Sequence, residues 1–127
     1  MIEKRGYRDL IVWQRAIDLV PVVYQFIHAF PRAEEFALSA QMRRACVSIA
    51  ANIAEGQARQ SRKEFRQHLA IAKGSLAELH TLFIVAQRLK YLNEEALAEL
   101  ELKLSAIRKP LSGLMDKLKP VPSKHPS

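Results

Sequence analysis

Four stripes of apolar residues, each repeating at three- and four-residue steps, constrain this chain more than any other feature. An α-helix turns once every ~3.6 residues, so such spacing gathers the side chains on one face. Three short polar connections separate the stripes, and short connections make successive helices antiparallel. The expected fold is all-α: an antiparallel up-down-up-down four-helix bundle, with helices at about residues 10–29, 36–58, 62–90 and 94–118.

The first stripe is double. Leu10, Trp13, Ile17, Val20, Tyr24 and Ile27 form one seam, and Val12, Ala16, Leu19, Val23 and Phe26 run beside it. One core needs one stripe, so the first helix is expected to be buried on a wide arc, centrally in the bundle or also against another subunit. Asp9 reads as its N-cap. Pro21 removes one backbone hydrogen bond, but the stripe resumes in phase at Tyr24, which predicts a kink and not an end. Phe30-Pro31 closes the helix.

In the second helix Leu38, Met42, Ala45, Ile49 and Ile53 mark the core seam. Val47, Ala50, Ala51 and Ala54 mark a face of small side chains that admits another helix closely. Ser61 with Glu64 reads as a capping box opening the third helix. Phe65, Leu69, Ala72, Leu76, Leu79, Phe83 and Ala86 are its stripe. Asn93 caps the fourth, with Glu94 and Glu95 where the helix dipole favours anions. Leu97, Leu100, Leu104, Ile107, Leu111, Leu114 and Leu118 complete the set, interrupted at Pro110. Residues 1–119 form one domain, and the Pro-rich tail at 120–127 is expected to be disordered.

Length and composition agree with this reading. A chain of 127 residues, 49% apolar and 26% charged, supports one core without a metal or disulfide. The lone Cys46 excludes an intrachain disulfide and suits a reducing cytosol, so a cytoplasmic location is expected. The charged first residues do not resemble a signal peptide. Arg15, Asp18 and Pro21 interrupt the apolar stretch from Leu10 to Phe30, which favours a buried amphipathic helix over a membrane span.

Catalytic and metal-binding patterns are sparse. No two of His28, His68, His80 and His125 are three or four apart, and no Glu-x-x-His occurs, so neither a metal nor another cofactor is expected. Phosphate-binding glycine loops and nucleophile elbows are missing. Cys46 among apolar neighbours reads as a core residue. Glu64 and His68, one turn apart, read as a solvent-facing pair. One enzymatic pattern is present: Arg62 followed six residues later by His68 matches the Arg and His spacing of HEPN-type helical ribonucleases. There an arginine can stabilise phosphate charge while a histidine moves a proton.

Charge is the other signal. The net charge is +7, and the segment from Arg43 to Lys73 is basic, with Glu55 and Glu64 its only acids. The balance reverses from Gly74 to Leu102. Arg43, Arg44, Arg59, Arg62, Lys63 and Arg66 are therefore the candidate contacts for RNA or DNA. The competing reading is a solvated face whose arginines pair locally. A protein-interaction scaffold without any nucleic-acid role fits the same composition.

Several motifs together resemble the four-helix bundle proteins encoded in 23S rRNA intervening sequences. They are Asp9-Leu-Ile-Val-Trp13-Gln-Arg-Ala16, Phe30-Pro31, Gln41-Met-Arg43-Arg44-Ala-Cys-Val-Ser48-Ile49, Asn52-Ile-Ala-Glu55-Gly56, Glu64-Phe65 and Gly74-Ser75-Leu-Ala-Glu78-Leu. The resemblance runs from about residue 7 to 118. It implies a cytosolic bacterial protein that assembles into a homopentameric barrel and has no established enzymatic activity. A relative, the accessory protein of diversity-generating retroelements, binds nucleic acid and a reverse transcriptase, which implies a possible reverse-transcriptase-type partner here. The motif positions carried over are Arg43, Arg44, Asn52, Glu55 and Gly56, with Trp13 read as core or interface. Asn52 and Glu55 are expected to satisfy backbone groups or to pair with Arg43 or Arg44. Pro21, Pro110, Ala37 and His80 depart from the family's usual residues.

Overall fold

A computed structural model describes residues 6–121. Among these residues there is no strand. A 3-10 turn at Gly6–Asp9 precedes α1 (Ile11–His28), and a second at Arg32–Glu34 precedes α2 (Leu38–Ala58). Then come α3 (Arg62–Arg88) and α4 (Glu94–Lys117). Each helix packs against the next, and α1 closes against α4. Arg62 at the start of α3 bonds Lys117 at the end of α4. Tyr91, just past α3, bonds Glu34 between α1 and α2. Neighbouring helices are therefore antiparallel, as the short connections predict.

The core follows the stripes, with one correction in α1. Val12, Ala16, Leu19, Val23 and Ile27 are buried. Ile27, expected in the other seam, takes the place of Phe26, which is half-buried. Of the rest of that seam, Trp13 and Val20 are half-buried, while Ile17 and Tyr24 remain 40% and 43% exposed. Within the protomer α1 buries one stripe and leaves the second facing outward, over α2. In α2 to α4 the expected seams are the observed ones, with Met42, Ile49, Ile53, Leu69, Leu79, Phe83, Leu100, Leu104, Ile107 and Leu111 fully buried. Each such aliphatic side chain contributes about 1.5–3 kcal/mol by leaving water.

The helix ends carry further corrections. Asp9 does not cap α1. The amide of Leu10 donates to the Tyr7 carbonyl at 3.0 Å, which closes the 3-10 turn, and Leu10 itself becomes the N-cap. At α3 only the forward half of the capping box forms, with the Glu64 amide donating to Ser61 Oγ at 3.3 Å. Asn93 Oδ1 accepts from the Ala96 amide at 2.7 Å, the expected cap of α4. Gln60 and Lys90, just past α2 and α3, take the left-handed backbone with φ of 60° and 70°. After α3 the Lys90 and Tyr91 amides bond the Gln87 and Ala86 carbonyls, a Schellman closure with lysine where glycine is usual. Residues 122–127 of the tail lie outside the described residues.

Both internal prolines are absorbed by continuous helices. Pro110 has no amide hydrogen to offer the carbonyl four residues back, that of Ala106. Arg15 Nη1 of α1 donates to that carbonyl at 2.6 Å, so the bond α4 loses becomes a bridge between two helices.

Candidate nucleic-acid interface

The antiparallel arrangement brings the start of α3 and the ends of α2 and α4 to one pole. There Arg59, Arg62, Lys63, Arg66, Lys117 and Lys119 meet Glu55, Glu64 and Asp116. Arg62 Nη2 donates to the Lys117 carbonyl at 2.7 Å, and Arg66 Nε donates to that of Met115 at 3.3 Å. Both acceptors lie in the last turn of α4, where carbonyls run out of helical partners; that of Met115 also accepts from the Leu118 amide at 3.1 Å. A guanidinium has five N–H donors, so one bond to a neutral carbonyl leaves its charge and most of its donors available. These two arginines thus cap α4 and hold fixed positive charge at the pole.

Arg59 is different. Its Nη2 meets Glu55 Oε1 at 2.9 Å, an exposed pair one turn apart. The hydrogen bond from Arg59, then the nearby charge of His68, hold the Glu55 carboxyl below its usual range. Lys63 is exposed and makes no hydrogen bond or ion pair among the described residues.

Arg43 and Arg44 do not join this pole. Sixteen residues separate Arg43 from Arg59 along α2, about 24 Å at ~1.5 Å per residue. Arg43 Nη2 donates to the Glu35 carbonyl at 2.7 Å and ties down the connection between α1 and α2. Arg44 is exposed beside Tyr24 and Val47, without a partner among the described residues. The six candidates form two groups, four at the pole and two along the outer side of α2.

The family-motif residues in the second half of α2, Asn52, Glu55 and Gly56, lie beside α3. Asn52 Nδ2 donates to the Ser48 carbonyl at 2.9 Å and meets Ser48 Oγ at 3.0 Å. Ser48 Oγ in turn meets Ser75 Oγ at 2.9 Å. Gly56 is fully packed, and a Cβ there would stand 2.5 Å from His68 Cβ. Of the two expected roles Asn52 takes the first, satisfying a backbone carbonyl, and neither it nor Glu55 pairs with Arg43 or Arg44. Asn52 stitches its own helix to α3, and Glu55 is held by Arg59. His68 is also placed differently from expectation. It is largely buried, its Nδ1 lies 2.9 Å from the Glu64 backbone carbonyl, and its Nε2 lies 3.6 Å from Glu55 Oε1. It does not pair with the Glu64 side chain.

Arg62 and His68 therefore turn to different neighbours, α4 and α2, and the structure does not bring them to one point. Cys46 is buried, and burial pushes its thiol up to about 11, far from a reactive thiolate. Among the described residues no cluster of three His, Cys, Asp or Glu stands ready for a metal.

Trp13 stacks at 5.2 Å against Tyr7 and forms one wall of an open groove of about 500 Å³ between α1 and α2. Ile17, Val20, Pro21, Val47 and Ala51 line the rest of it. Among the contacts that escaped the sequence reading are Arg15 to Ala106, Ser48 to Ser75, and Tyr91 to Glu34. The Tyr91 hydroxyl donates to Glu34 Oε2 at 2.9 Å, and this bond raises its pKa. Only the first had a signal to find, a proline four residues beyond a carbonyl.

An all-helical bundle with a basic pole and a polar stitch between α2 and α3 is the class this geometry defines. The chain belongs to the 23S rRNA-intervening sequence protein family, whose model matches residues 8–113. It is similar in fold to a crystal structure of a protein of unknown function, of the S23 ribosomal protein family, from Bacteroides thetaiotaomicron. The two align with a TM-score of 0.77 at 23% identity, over 84% of this chain and 96% of the other. No curated protein matches the sequence.

Proposed function

We propose that the protein is a non-catalytic, cytoplasmic homo-oligomer, a pentameric barrel, that binds RNA through its basic pole. The observation that carries this reading is the cluster of Arg59, Arg62, Lys63 and Arg66 beside Lys117, with Arg62 and Arg66 held in place by backbone carbonyls. Preorganised cations lose little side-chain entropy on meeting phosphates, and each phosphate neutralised releases counterions. Copies arranged round a ring would repeat the patch, so weak contacts act together. The outward seam of α1 supports self-association, since exposed Ile17 and Tyr24 beside half-buried Val20 are costly for a lone protomer. The separate directions of Arg62 and His68 support a binding role over a ribonuclease.

The test is a double reversal, Arg59→Glu with Lys63→Glu, at exposed side chains that cap no helix. Affinity for structured RNA is expected to fall at least ~10-fold and to lose part of its salt dependence, with helicity unchanged. Unchanged affinity overturns the assignment of the pole. A purified protein that cleaves RNA, and loses this activity on His68→Ala, overturns the non-catalytic reading.

A further inference from the structure

Among the described residues one helix, α3, is long and apolar enough to cross a membrane. An 18-residue stretch of α3 has mean hydropathy 1.4, yet only 33% of it is buried within the protomer. Ile71, 53% exposed, and Val85, 39% exposed, are two ends of a strip with Glu78 midway between them at seven-residue steps. Residues seven apart lie nearly above one another on a helix, so these three share one outward face. The other uncovered apolar surface is the groove between α1 and α2, continued past Tyr24 and Val47 to Arg44.

The two surfaces are unlike in shape and charge. The groove is concave and bordered by the cation Arg44; the strip is a convex ridge carrying the anion Glu78, and neither charge has a partner among the described residues. We infer that the groove of one copy receives the α3 ridge of a second copy, with Arg44 pairing with Glu78 across the joint. This deepens, and rests on, the self-association reading above.

The joint is heterologous, because each copy offers a groove on one side and a ridge on another. Groove and ridge lie on different sides of a bundle whose order is α1, α2, α3, α4, and the pentameric reading requires a joint whose rotation closes into a ring, since one that does not close extends into a fibre. Both charges lie at exposed positions, so the pair sets register and direction while the apolar contact supplies most of the affinity. A membrane is the other environment that could take an apolar strip. Lys73 and Glu78 within the exposed part of α3, and the complementary charge of Arg44, favour a protein surface.

The test reverses each charge alone and then both. Light scattering of wild-type protein is expected to give a multiple of 14.4 kDa. Arg44→Glu and Glu78→Arg should each shift the mass towards that of one copy, with circular dichroism unchanged, and the double variant should restore it. Direction is read with cysteines and a short bismaleimide. Mixed Ala51→Cys and Ile71→Cys proteins should cross-link to each other, while Ala51→Cys alone should not. The native Cys46 is buried and stays silent in this assay. Wild-type protein that is monomeric overturns this joint together with the self-association reading. An intact oligomer that neither single reversal perturbs, or that cross-links Ala51→Cys to itself, overturns the joint alone.

Discussion

Helix α2 has two flanks that are finished differently. Towards α3 it is sealed: Gly56 admits His68 to a distance no side chain tolerates, and Asn52, Ser48 and Ser75 form a chain of hydrogen bonds across the seam. Towards the outer side of α1 it is open, with Trp13, Ile17, Val47 and Ala51 lining a groove that none of the described residues fills. The sealed flank spends its special residues on the fold. The open flank keeps apolar surface in reserve for contact.

Matched truncations should separate the two flanks most strongly. Ile53→Ala in the sealed core is expected to cost about 2–5 kcal/mol, because it removes a fully buried side chain and leaves a cavity. Ile17→Ala, at a position 40% exposed, should cost less than ~1 kcal/mol of protomer stability. Denaturant unfolding at matched protein concentrations measures both. Equal costs would break the comparison.

Glycines give the next contrast. Gly56→Ala forces a Cβ against His68 Cβ, an atom fixed close to its backbone, so α2 and α3 must shift apart; about 1–3 kcal/mol is expected. Gly113→Ala in α4 meets nothing within 4 Å and should stabilise by about 0.5–1 kcal/mol. Thermal melts of the two variants should move in opposite directions.

The bridge between α1 and α4 is tested by a double-mutant cycle. Arg15→Ala leaves the Ala106 carbonyl without its donor and should cost about 1 kcal/mol. In a Pro110→Ala background the helix supplies that donor itself, and the cost of losing Arg15 should shrink. Additive effects would show that the bond does not compensate the proline.

The smallest effect concerns pH. The folded-state pKa of Glu55 is lowered, so its contribution is present above its ordinary pKa of 4.5 and is lost as pH falls through the lower folded value. Glu55→Gln should therefore narrow the stability difference from wild type in acid and leave it constant above neutrality. As the pair is exposed, added salt should blunt the effect.

The bundle was legible in the sequence because helical periodicity is a local property. Seams in α2, α3 and α4 could be read from spacing alone, and the N-cap at Asn93 from residue type. The choice between the two seams of α1 could not, since both have correct periodicity and only the partner helices decide which is buried. The split of the six basic candidates was equally hidden. Arg43 and Arg59 belong to one basic run in sequence, yet a straight helix carries them to different regions. The polar stitch through Asn52 was visible as a motif, but its direction towards α3 depends on the relative rotation of two helices.

Most direct for the central claim is a salt titration of wild-type binding to fluorescent structured RNA. The account predicts a log-log slope of about −4 or steeper, since each neutralised phosphate contributes about −0.7 to −0.9 and a ring engages several at once. No binding at low salt, with the oligomer intact, would contradict it and leave a scaffold whose partner is another protein.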